Sequence, residues 1–256
     1  MTTPGIVATR EGPVARIRID RPEARNALTL AMYDGLIGAL HALRDNEAVR
    51  LLVLEGDDKA FAAGTEISEF TAFKSGRDGL AYESRVEQVI DTIETLPFPT
   101  LAAVKGVATG GGLMLAVACD LQLVSANARI GAPIARTVGN CLSSRNLARL
   151  QTVVGPALLR RMLFAAELVT ASELVGSAFP TWIVQADDFE SALAQKIESI
   201  AGAAPLTQRA TKASLIRIAR NDFKDADIIE RTYGSADFAE GVAAFLERRK
   251  PAWQNH

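Results

Sequence analysis

The spacing of hydrophobic and polar residues along the chain predicts alternating strands and helices. Residues 15–20 alternate strictly between apolar and polar side chains, which is the pattern of a strand with one exposed face. Thr29 can cap the next helix, in which apolar residues recur at helical spacing from Met32 to Leu43. The first part of the chain therefore predicts a half-exposed strand followed by an amphipathic helix.

Two glycine-containing turns are the most informative feature of the chain. We call Phe61–Glu66 (Phe-Ala-Ala-Gly-Thr-Glu) the first glycine turn and Thr109–Met114 (Thr-Gly-Gly-Gly-Leu-Met) the second glycine turn. Each follows an apolar run typical of a buried strand, residues 49–54 and 101–104, and precedes helix-like sequence. A helix that opens in this way presents unpaired backbone N–H groups with the helix dipole behind them. Two such turns facing one another can stabilise negative charge on one oxygen atom.

The remaining sequence predicts an α/β or α+β core followed by helices. A polar, helix-compatible stretch covers residues 67–95, with an interruption near 75–79. An apolar segment at 113–119 predicts a helix buried on all sides. The later features are a short strand at 121–124, helical sequence from Ser143, a capping box at 170–173, a short strand at 182–184, and a hinge at 204–205 before two or three terminal helices.

Composition narrows the class of protein. The chain has 256 residues of which 48% are hydrophobic, enough for a substantial core. A net charge of −2 gives no broad attraction for nucleic acid or acidic membranes. No apolar run approaches the roughly 18 residues that a membrane-spanning helix needs, and the N-terminus has no recognisable export signal. The two cysteines, Cys119 and Cys141, lie among apolar residues. We therefore expect a cytoplasmic protein with no membrane span and with two buried, inert thiols.

Several short segments together carry a resemblance to a known family. They lie in order along nearly the whole chain, at residues 21–28, 61–66, 100–106, 110–112, 118–120 and 238–251. On these segments the sequence resembles the crotonase superfamily, also called the enoyl-CoA hydratase/isomerase family. One glycine motif would be weak evidence, whereas six ordered matches are specific.

The resemblance implies a fold, an assembly and a ligand. The fold is an α/β (α+β) core of repeated ββα units, expected over residues 1–200, with a C-terminal helical region over 201–256 that mediates oligomerisation. The implied assembly is a homotrimer or a dimer of trimers. The implied ligand is an acyl-CoA thioester, so that coenzyme A enters as part of the substrate and no separate cofactor or metal is expected. A lyase or isomerase of fatty acid metabolism fits these features.

The resemblance also assigns roles to individual residues. The backbone N–H groups of Thr65 and Gly111 take the positions of the family's oxyanion hole. Asn26 and Asp120 take positions that tie turns together through side-chain hydrogen bonds. The residues implied to contact the coenzyme A moiety are Arg25, Ala63, Thr65 and Ile67, together with Phe245 and Arg248 on the closing helix, which can reach the nucleotide of a neighbouring subunit.

The chain departs from the family pattern where protons are moved. Hydratases of the family carry one glutamate three residues after the oxyanion-hole glycine and another after the Pro of a Gly-x-Pro turn. Met114 and Ile134 stand at these two positions, and Leu142 stands where some isomerases and dehalogenases place an acid. None of these side chains can transfer a proton, whereas hydration needs a carboxylate to activate water. Ordinary hydratase chemistry is therefore not expected.

Other residues are candidates to replace the missing acids. Glu66 begins a helix, where a carboxylate also favours the helix dipole. Tyr82 and Glu87, with Glu83 between them, lie on the segment that covers the acyl pocket in the family. Each of these also has an ordinary structural explanation, as a solvated or capping side chain. The stretch after Pro133 usually borders the acyl group in the family and contains Arg136, Asn140 and Cys141. The two histidines, His41 and His256, lie far from both glycine turns in the sequence pattern.

Two functional hypotheses follow from these observations. The first is an enzyme that acts on acyl-CoA without the usual glutamates, by decarboxylation, a double-bond shift or thioester hydrolysis through an anion held by Thr65 and Gly111. The second is a non-catalytic protein that binds acyl-CoA and uses Met114 and Ile134 as apolar lining. A nucleotide-dependent dehydrogenase is excluded because no Gly-x-Gly-x-x-Gly follows a first strand.

Overall fold

Ten strands form two sheets of different size in the computed structural model, which describes residues 3–256. The large sheet has the order β1-β2-β3-β5-β7-β10 and the small sheet the order β4-β6-β8-β9. All neighbours are parallel except the pairs β1–β2 and β8–β9. The strands are β1 (Ile6–Glu11), β2 (Val14–Ile19), β3 (Leu51–Glu55), β4 (Ala60–Ala62), β5 (Thr100–Val104), β6 (Val107–Thr109), β7 (Leu121–Ser125), β8 (Arg129–Gly131), β9 (Val169–Thr170) and β10 (Trp182–Val184).

Helices cover both faces of the large sheet and form the end of the chain. In the part of the chain that the structure describes, none of them combines the length and apolarity needed to cross a bilayer. The α-helices are α1 (Leu30–Arg44), α2 (Gly76–Glu94), α3 (Gly111–Ala118), α4 (Ser144–Val154), α5 (Pro156–Phe164), α6 (Phe189–Ala201), α7 (Pro205–Ala219), α8 (Ala226–Tyr233) and α9 (Ala236–Glu247). Four 3-10 helices lie at Pro22–Ala24, Ile67–Ala72, Ala171–Leu174 and Ala186–Asp188.

The core explains why the central strands are apolar throughout. On β3, Leu52 and Leu54 face the main core, whereas Leu51 and Val53 face the opposite side and pack near α6. Because successive side chains on a strand point to opposite faces, a strand covered on both sides must be apolar at every position. The predicted α/β (α+β) class is confirmed. The division at residue 200 stays a prediction.

Several local predictions are confirmed. The Thr29 hydroxyl accepts a hydrogen bond from Met32 N at 3.2 Å and caps α1. The predicted capping box at Thr170 and Glu173 is present and opens a 3-10 helix. The all-apolar segment after the second glycine turn is α3, whose side chains are almost all buried. Asp120 accepts hydrogen bonds from the Thr100 backbone and hydroxyl, as its structural role predicts.

Two predictions about element boundaries are wrong in detail. The interruption expected at residues 75–79 ends at Ser75, which caps α2, and the two glycines that follow lie inside this helix. The apolar runs do not lead directly into the glycine turns either. A short strand of the small sheet follows the apolar run in each case, and its end overlaps the start of the turn: β4 for the first glycine turn and β6 for the second. Each unit therefore has the strand–strand–helix order that the resemblance implies.

Asn26 is buried completely and joins two loops. Its Nδ2 donates to the carbonyl of Ala60 at 2.7 Å, and its Oδ1 accepts from the N–H of Arg21 at 2.8 Å. We expect Asn26→Ala to lower the free energy of unfolding by about 1–3 kcal/mol, because the Arg21 N–H loses its partner while the Ala60 carbonyl keeps its bond from the Asp57 N–H. Urea unfolding would measure this loss. Asn46→Ala is the control, since Asn46 bonds only the nearby Ala48 N–H at the surface; an equal loss in both variants would contradict the prediction.

Candidate functional site

The two glycine turns lie in contact because the strands that lead into them are neighbours. Parallel pairing aligns Ala62 of β4 with Ala108 of β6, so the segments that follow these two strands leave the small sheet at the same end. A methyl group placed on Gly64 would lie 3.4 Å from the carbonyl oxygen of Thr109. One placed on Gly112 would lie 2.2 Å from the carbonyl oxygen of Ala62, which is closer than any real contact. Glycine is therefore required where α3 meets the first glycine turn.

Each turn leaves one backbone N–H without a partner. Leu28 donates to the carbonyl of Gly64 and accepts from the N–H of Glu66, so the N–H of Thr65 points away from this pairing. Gly111 is the first residue of α3, where backbone N–H groups have no acceptor within the helix. Within residues 3–256 neither the Thr65 N–H nor the Gly111 N–H donates a hydrogen bond. Two free donors therefore lie on adjoining turns, one of them at a helix N-terminus that favours negative charge.

A cluster of hydroxyl groups lies beside Thr65 and Gly111. Thr65 Oγ1 is 2.8 Å from the Tyr33 hydroxyl and 2.7 Å from the Tyr82 hydroxyl. A methyl group on Gly111 would lie 2.2 Å from the Tyr33 hydroxyl, so the tyrosine occupies the space a side chain would need. The sequence pattern identified Tyr82 as a candidate but gave no role to Tyr33, which lies on α1. A buried tyrosine on an amphipathic helix needs a hydrogen-bond partner for its hydroxyl. This need is the feature of the sequence that could have pointed to Tyr33.

Apolar side chains fill the positions assigned to the family's acids. Met114 is 1% exposed on α3 and belongs to the main core. Ile134 is half-buried in the turns after β8, and Leu142 packs against the core from the same segment. The structure therefore contains no titratable side chain at any of these three positions.

Comparison with known proteins extends the similarity to the whole chain. The sequence profile of the enoyl-CoA hydratase/isomerase family matches residues 9–256. The chain belongs to this family. It is 30% identical over 260 residues to the crotonyl-CoA hydratase of Syntrophomonas wolfei, covering 98% of each protein. It is 28% identical over 253 residues to a short-chain-enoyl-CoA hydratase of Clostridium acetobutylicum, covering 96% of this chain and 95% of that one.

Solved structures of this family share the fold. An enoyl-CoA hydratase/carnithine racemase from Magnetospirillum magneticum superposes with a TM-score of 0.93 and 31% identity, over 98% of this chain and 96% of that chain. An enoyl-CoA hydratase from Mycobacterium smegmatis superposes with a TM-score of 0.89 and 28% identity, over 98% and 99% of the two chains. The expected crotonase-like fold is thus confirmed along the whole chain.

Glu66, a candidate acid in this family member, has structural partners. Its Oε2 lies 2.7 Å from Arg21 Nη1, and its Oε1 accepts from the Ser68 N–H at 3.2 Å. The Arg21 guanidinium and the bonds from Ser68 lower the pKa of the Glu66 carboxyl. A carboxylate held in this way caps the 3-10 helix that follows the first glycine turn.

Glu87 and Glu83 lie one helical turn apart on α2. Glu87 forms ion pairs with Arg149 at 2.6 Å and with Arg145 at 3.2 Å. Glu83 accepts a hydrogen bond from the Ser143 N–H at 3.1 Å and is half-buried. Burial raises the pKa of the Glu83 carboxyl, and the charge of Glu87 raises it further. Glu83 is thus the acid of this group whose protonated form the fold favours.

The raised pKa of Glu83 has a consequence for stability. Its contribution to stability is complete below the unfolded pKa near 4.5 and is lost as the pH rises through the higher folded pKa. We expect Glu83→Gln to become more stable relative to the wild type as the pH rises from 4 to 8. Thermal unfolding across this range would measure the difference. The expectation would be contradicted if the difference in stability between Glu83→Gln and the wild type did not change with pH, or if it shifted in favour of the wild type as the pH rose.

The residues assigned to coenzyme A from the first part of the chain lie around the first glycine turn. Arg25 is exposed in a left-handed conformation (φ 51°), and its carbonyl accepts the N–H of Ala63 at 3.1 Å. The N–H of Ala63 is therefore occupied, which leaves its carbonyl for a ligand. Ile67 is 58% exposed directly after the turn. The structure thus brings Arg25, Ala63, Thr65 and Ile67 into one region.

Phe245 and Arg248 lie at the end of α9, away from this region in the chain. Phe245 is 84% exposed, and Arg248 ends the helix in a left-handed conformation with φ 56°. Phe238, Val242 and Leu246 are further exposed apolar residues of the same helix. Phe238 packs on Tyr233 with ring centroids 4.9 Å apart, but among residues 3–256 none of these four apolar side chains belongs to a buried core cluster.

The prediction for Cys141 is wrong, whereas that for Cys119 is confirmed. Cys119 is buried, and burial raises the pKa of its thiol to about 12. Cys141 is exposed because the segment after Pro133 forms turns and irregular backbone, with no helix or strand to bury alternate residues. Arg136 in this segment is exposed and donates to the carbonyl of Ala165 at 2.8 Å.

Proposed function

We propose that this protein binds acyl-CoA thioesters and stabilises an enolate-like anion between the backbone N–H groups of Thr65 and Gly111. The observation that carries the proposal is the pair of unpartnered N–H groups on adjoining turns. A thioester carbonyl gains negative charge when it becomes an enolate, and fixed donors about 3 Å away stabilise that charge most. The positive end of α3 adds to the same effect at Gly111.

We further propose that the reaction is not ordinary hydration. Activation of water and protonation of the α-carbon each need a group that can exchange a proton. Met114 and Ile134 stand where the family's hydratases carry glutamates, and neither side chain can do so. Decarboxylation, a double-bond shift and thioester hydrolysis also pass through an anion that the two donors would stabilise, and they form the reaction class we favour. Decarboxylation generates this anion by loss of CO2 without a base, whereas the other two reactions need a proton carrier other than Met114 or Ile134.

The coenzyme A moiety is proposed to lie across the first glycine turn. Exposed Ile67 offers an apolar surface to the adenine, and exposed Arg25 offers a charge to the phosphates. Phe245 and Arg248 would complete the site across a subunit boundary in a trimer or a dimer of trimers. The exposed apolar side chains on α9 support such an assembly, because they otherwise face water.

A non-catalytic acyl-CoA-binding function is the second candidate, and the apolar side chains at the two glutamate positions favour it. Met114 and Ile134 can contact an acyl chain but cannot transfer a proton. This candidate shares the proposed ligand with the first. The two differ only in whether the bound thioester is turned over.

An acyl-CoA panel with two readouts tests these proposals. Calorimetry with butyryl-CoA and with free coenzyme A would measure binding, while mass spectrometry would follow crotonyl-CoA, malonyl-CoA and acetyl-CoA for turnover. Turnover of any thioester supports the enzyme, and binding without turnover supports the second candidate. Hydration of crotonyl-CoA would overturn the proposal that the reaction is not ordinary hydration. Neither binding nor turnover would overturn both.

A further inference from the structure

Three hydroxyl groups from three separate elements form one hydrogen-bonded chain. Tyr33 comes from α1, Thr65 from the first glycine turn and Tyr82 from α2, and Thr65 Oγ1 is the partner of both phenols at 2.8 and 2.7 Å. The two rings meet edge to face with centroids 6.4 Å apart. We call these three groups the hydroxyl chain.

The three hydroxyl groups have one more hydrogen than their two mutual hydrogen bonds use. Three hydroxyls carry three hydrogens, and the two hydrogen bonds use two of them. Among residues 3–256, no carbonyl or carboxylate accepts a hydrogen bond from any of the three, and the two phenols, although they interact with each other, form no direct hydrogen bond within 3.5 Å. The hydroxyl chain therefore has one spare donor.

Burial decides where the spare donor lies. Tyr33 is completely buried, and a buried hydroxyl without an acceptor costs about 1–3 kcal/mol. Tyr33 must therefore donate to Thr65, which is its partner. The spare hydrogen then belongs to Thr65, which is half-buried, or to Tyr82, which is 9% exposed. Both residues are more exposed than Tyr33, so the hydroxyl chain leads from the core towards the surface.

The hydroxyl chain lies against the second glycine turn as well as the first. Thr65 Oγ1 would be 3.4 Å from a methyl group on Gly111, and the Tyr33 hydroxyl would be 2.2 Å from it. Burial raises the pKa of both phenols, so each keeps its hydrogen at neutral pH. An anion takes its hydrogen bond from the more acidic hydroxyl, which is the phenol of Tyr82 rather than the alcohol of Thr65.

We propose that the hydroxyl chain gives this site a third hydrogen-bond donor for the thioester oxygen, with Tyr82 touching the ligand and Tyr33 acting as a positioning residue. Tyr33 donates to Thr65, Thr65 donates to Tyr82, and Tyr82 donates to the ligand. Each bond polarises the next, which strengthens the last donor. This inference rests on the proposed function. It assigns a role to Tyr33, which the family resemblance does not.

Calorimetry with two ligands tests the hydroxyl chain. Free coenzyme A lacks the thioester carbonyl, so only butyryl-CoA reports the proposed bond. We expect Tyr82→Phe and Tyr33→Phe each to weaken butyryl-CoA binding about five- to tenfold and to leave coenzyme A binding within about twofold. The double variant should bind about as well as Tyr82→Phe alone, because the chain acts as one unit. Tyr233→Phe on α8 is the matched control, expected to change neither affinity.

The outcomes separate this inference from the proposed function. If the wild type binds butyryl-CoA no more tightly than coenzyme A, the thioester site itself is absent and both proposals fail. If the wild type prefers butyryl-CoA and both phenylalanine variants keep that preference, the hydroxyl chain has no role and the proposed function stands. Equal losses for both ligands would mean a merely structural role and would also overturn the inference.

Discussion

Gly112→Ala is expected to destabilise the fold by about 2–3 kcal/mol and to abolish acyl-CoA binding. The added methyl group would lie 2.2 Å from the carbonyl oxygen and 2.7 Å from the Cβ of Ala62. A backbone atom cannot rotate away, so α3 must move off β4 and carry the second glycine turn with it. The two unpartnered N–H groups would then separate.

The measurements for Gly112→Ala are the unfolding temperature and the affinity for butyryl-CoA. For a domain of this size, the expected loss corresponds to a fall of about 5–10 °C. Gly38→Ala is the matched control, because Gly38 lies in α1 with no atom within 4 Å of an added methyl group. Alanine there should be neutral or stabilise the helix by up to about 1 kcal/mol. Retention of both stability and affinity in Gly112→Ala would show that the turns do not need this close contact.

Removal of the Gly111 N–H is expected to weaken turnover by about two to three orders of magnitude. Proline is the residue that removes it, and the first position of a helix accommodates proline. Any side chain at this position meets the Tyr33 hydroxyl at 2.2 Å, whereas the ring carbon behind the hydroxyl lies at an ordinary 3.5 Å. Tyr33→Phe therefore removes the atom that any side chain at position 111 would meet.

The informative comparison is between two double variants. Tyr33→Phe/Gly111→Ala keeps the N–H and Tyr33→Phe/Gly111→Pro lacks it. Both carry the Cβ that residue 33 would meet, and the proline ring also places its Cδ where the N–H hydrogen was. We expect similar unfolding temperatures, similar coenzyme A affinity and a large deficit in thioester turnover for the proline variant alone. If the protein only binds, the deficit should appear in butyryl-CoA affinity. Equal behaviour of the two variants would exclude the Gly111 N–H as a donor.

The sequence predicted the elements that carry strong local patterns. The buried strands at residues 51–55 and 100–104 are apolar on both faces, and α3 is apolar on all sides, so each was recognisable without structure. The short strands of the small sheet were not, because two or three residues contain no alternation to read. β1 was missed for a different reason, since five of its six residues are exposed.

Some residues of the candidate site could be predicted from local sequence patterns, whereas others depend on contacts between distant segments. Thr65 and Gly111 follow from glycine turns that any strand-to-helix unit must position, so their neighbourhood was predictable. Tyr33 acquires its role only through packing of α1 against the first glycine turn, a contact between residues 32 positions apart. The exposure of Cys141 likewise depends on an irregular segment whose apolar residues suggest burial when read alone.

The central claim is that the Thr65 and Gly111 N–H groups hold the thioester oxygen. A crystal structure with butyryl-CoA tests it most directly, because the saturated acyl chain cannot be hydrated and stays intact. The account predicts the carbonyl oxygen within about 3 Å of both backbone nitrogens, with the Tyr82 hydroxyl as its third neighbour. A carbonyl oxygen bound elsewhere, beyond hydrogen-bonding distance of both nitrogens, would contradict it.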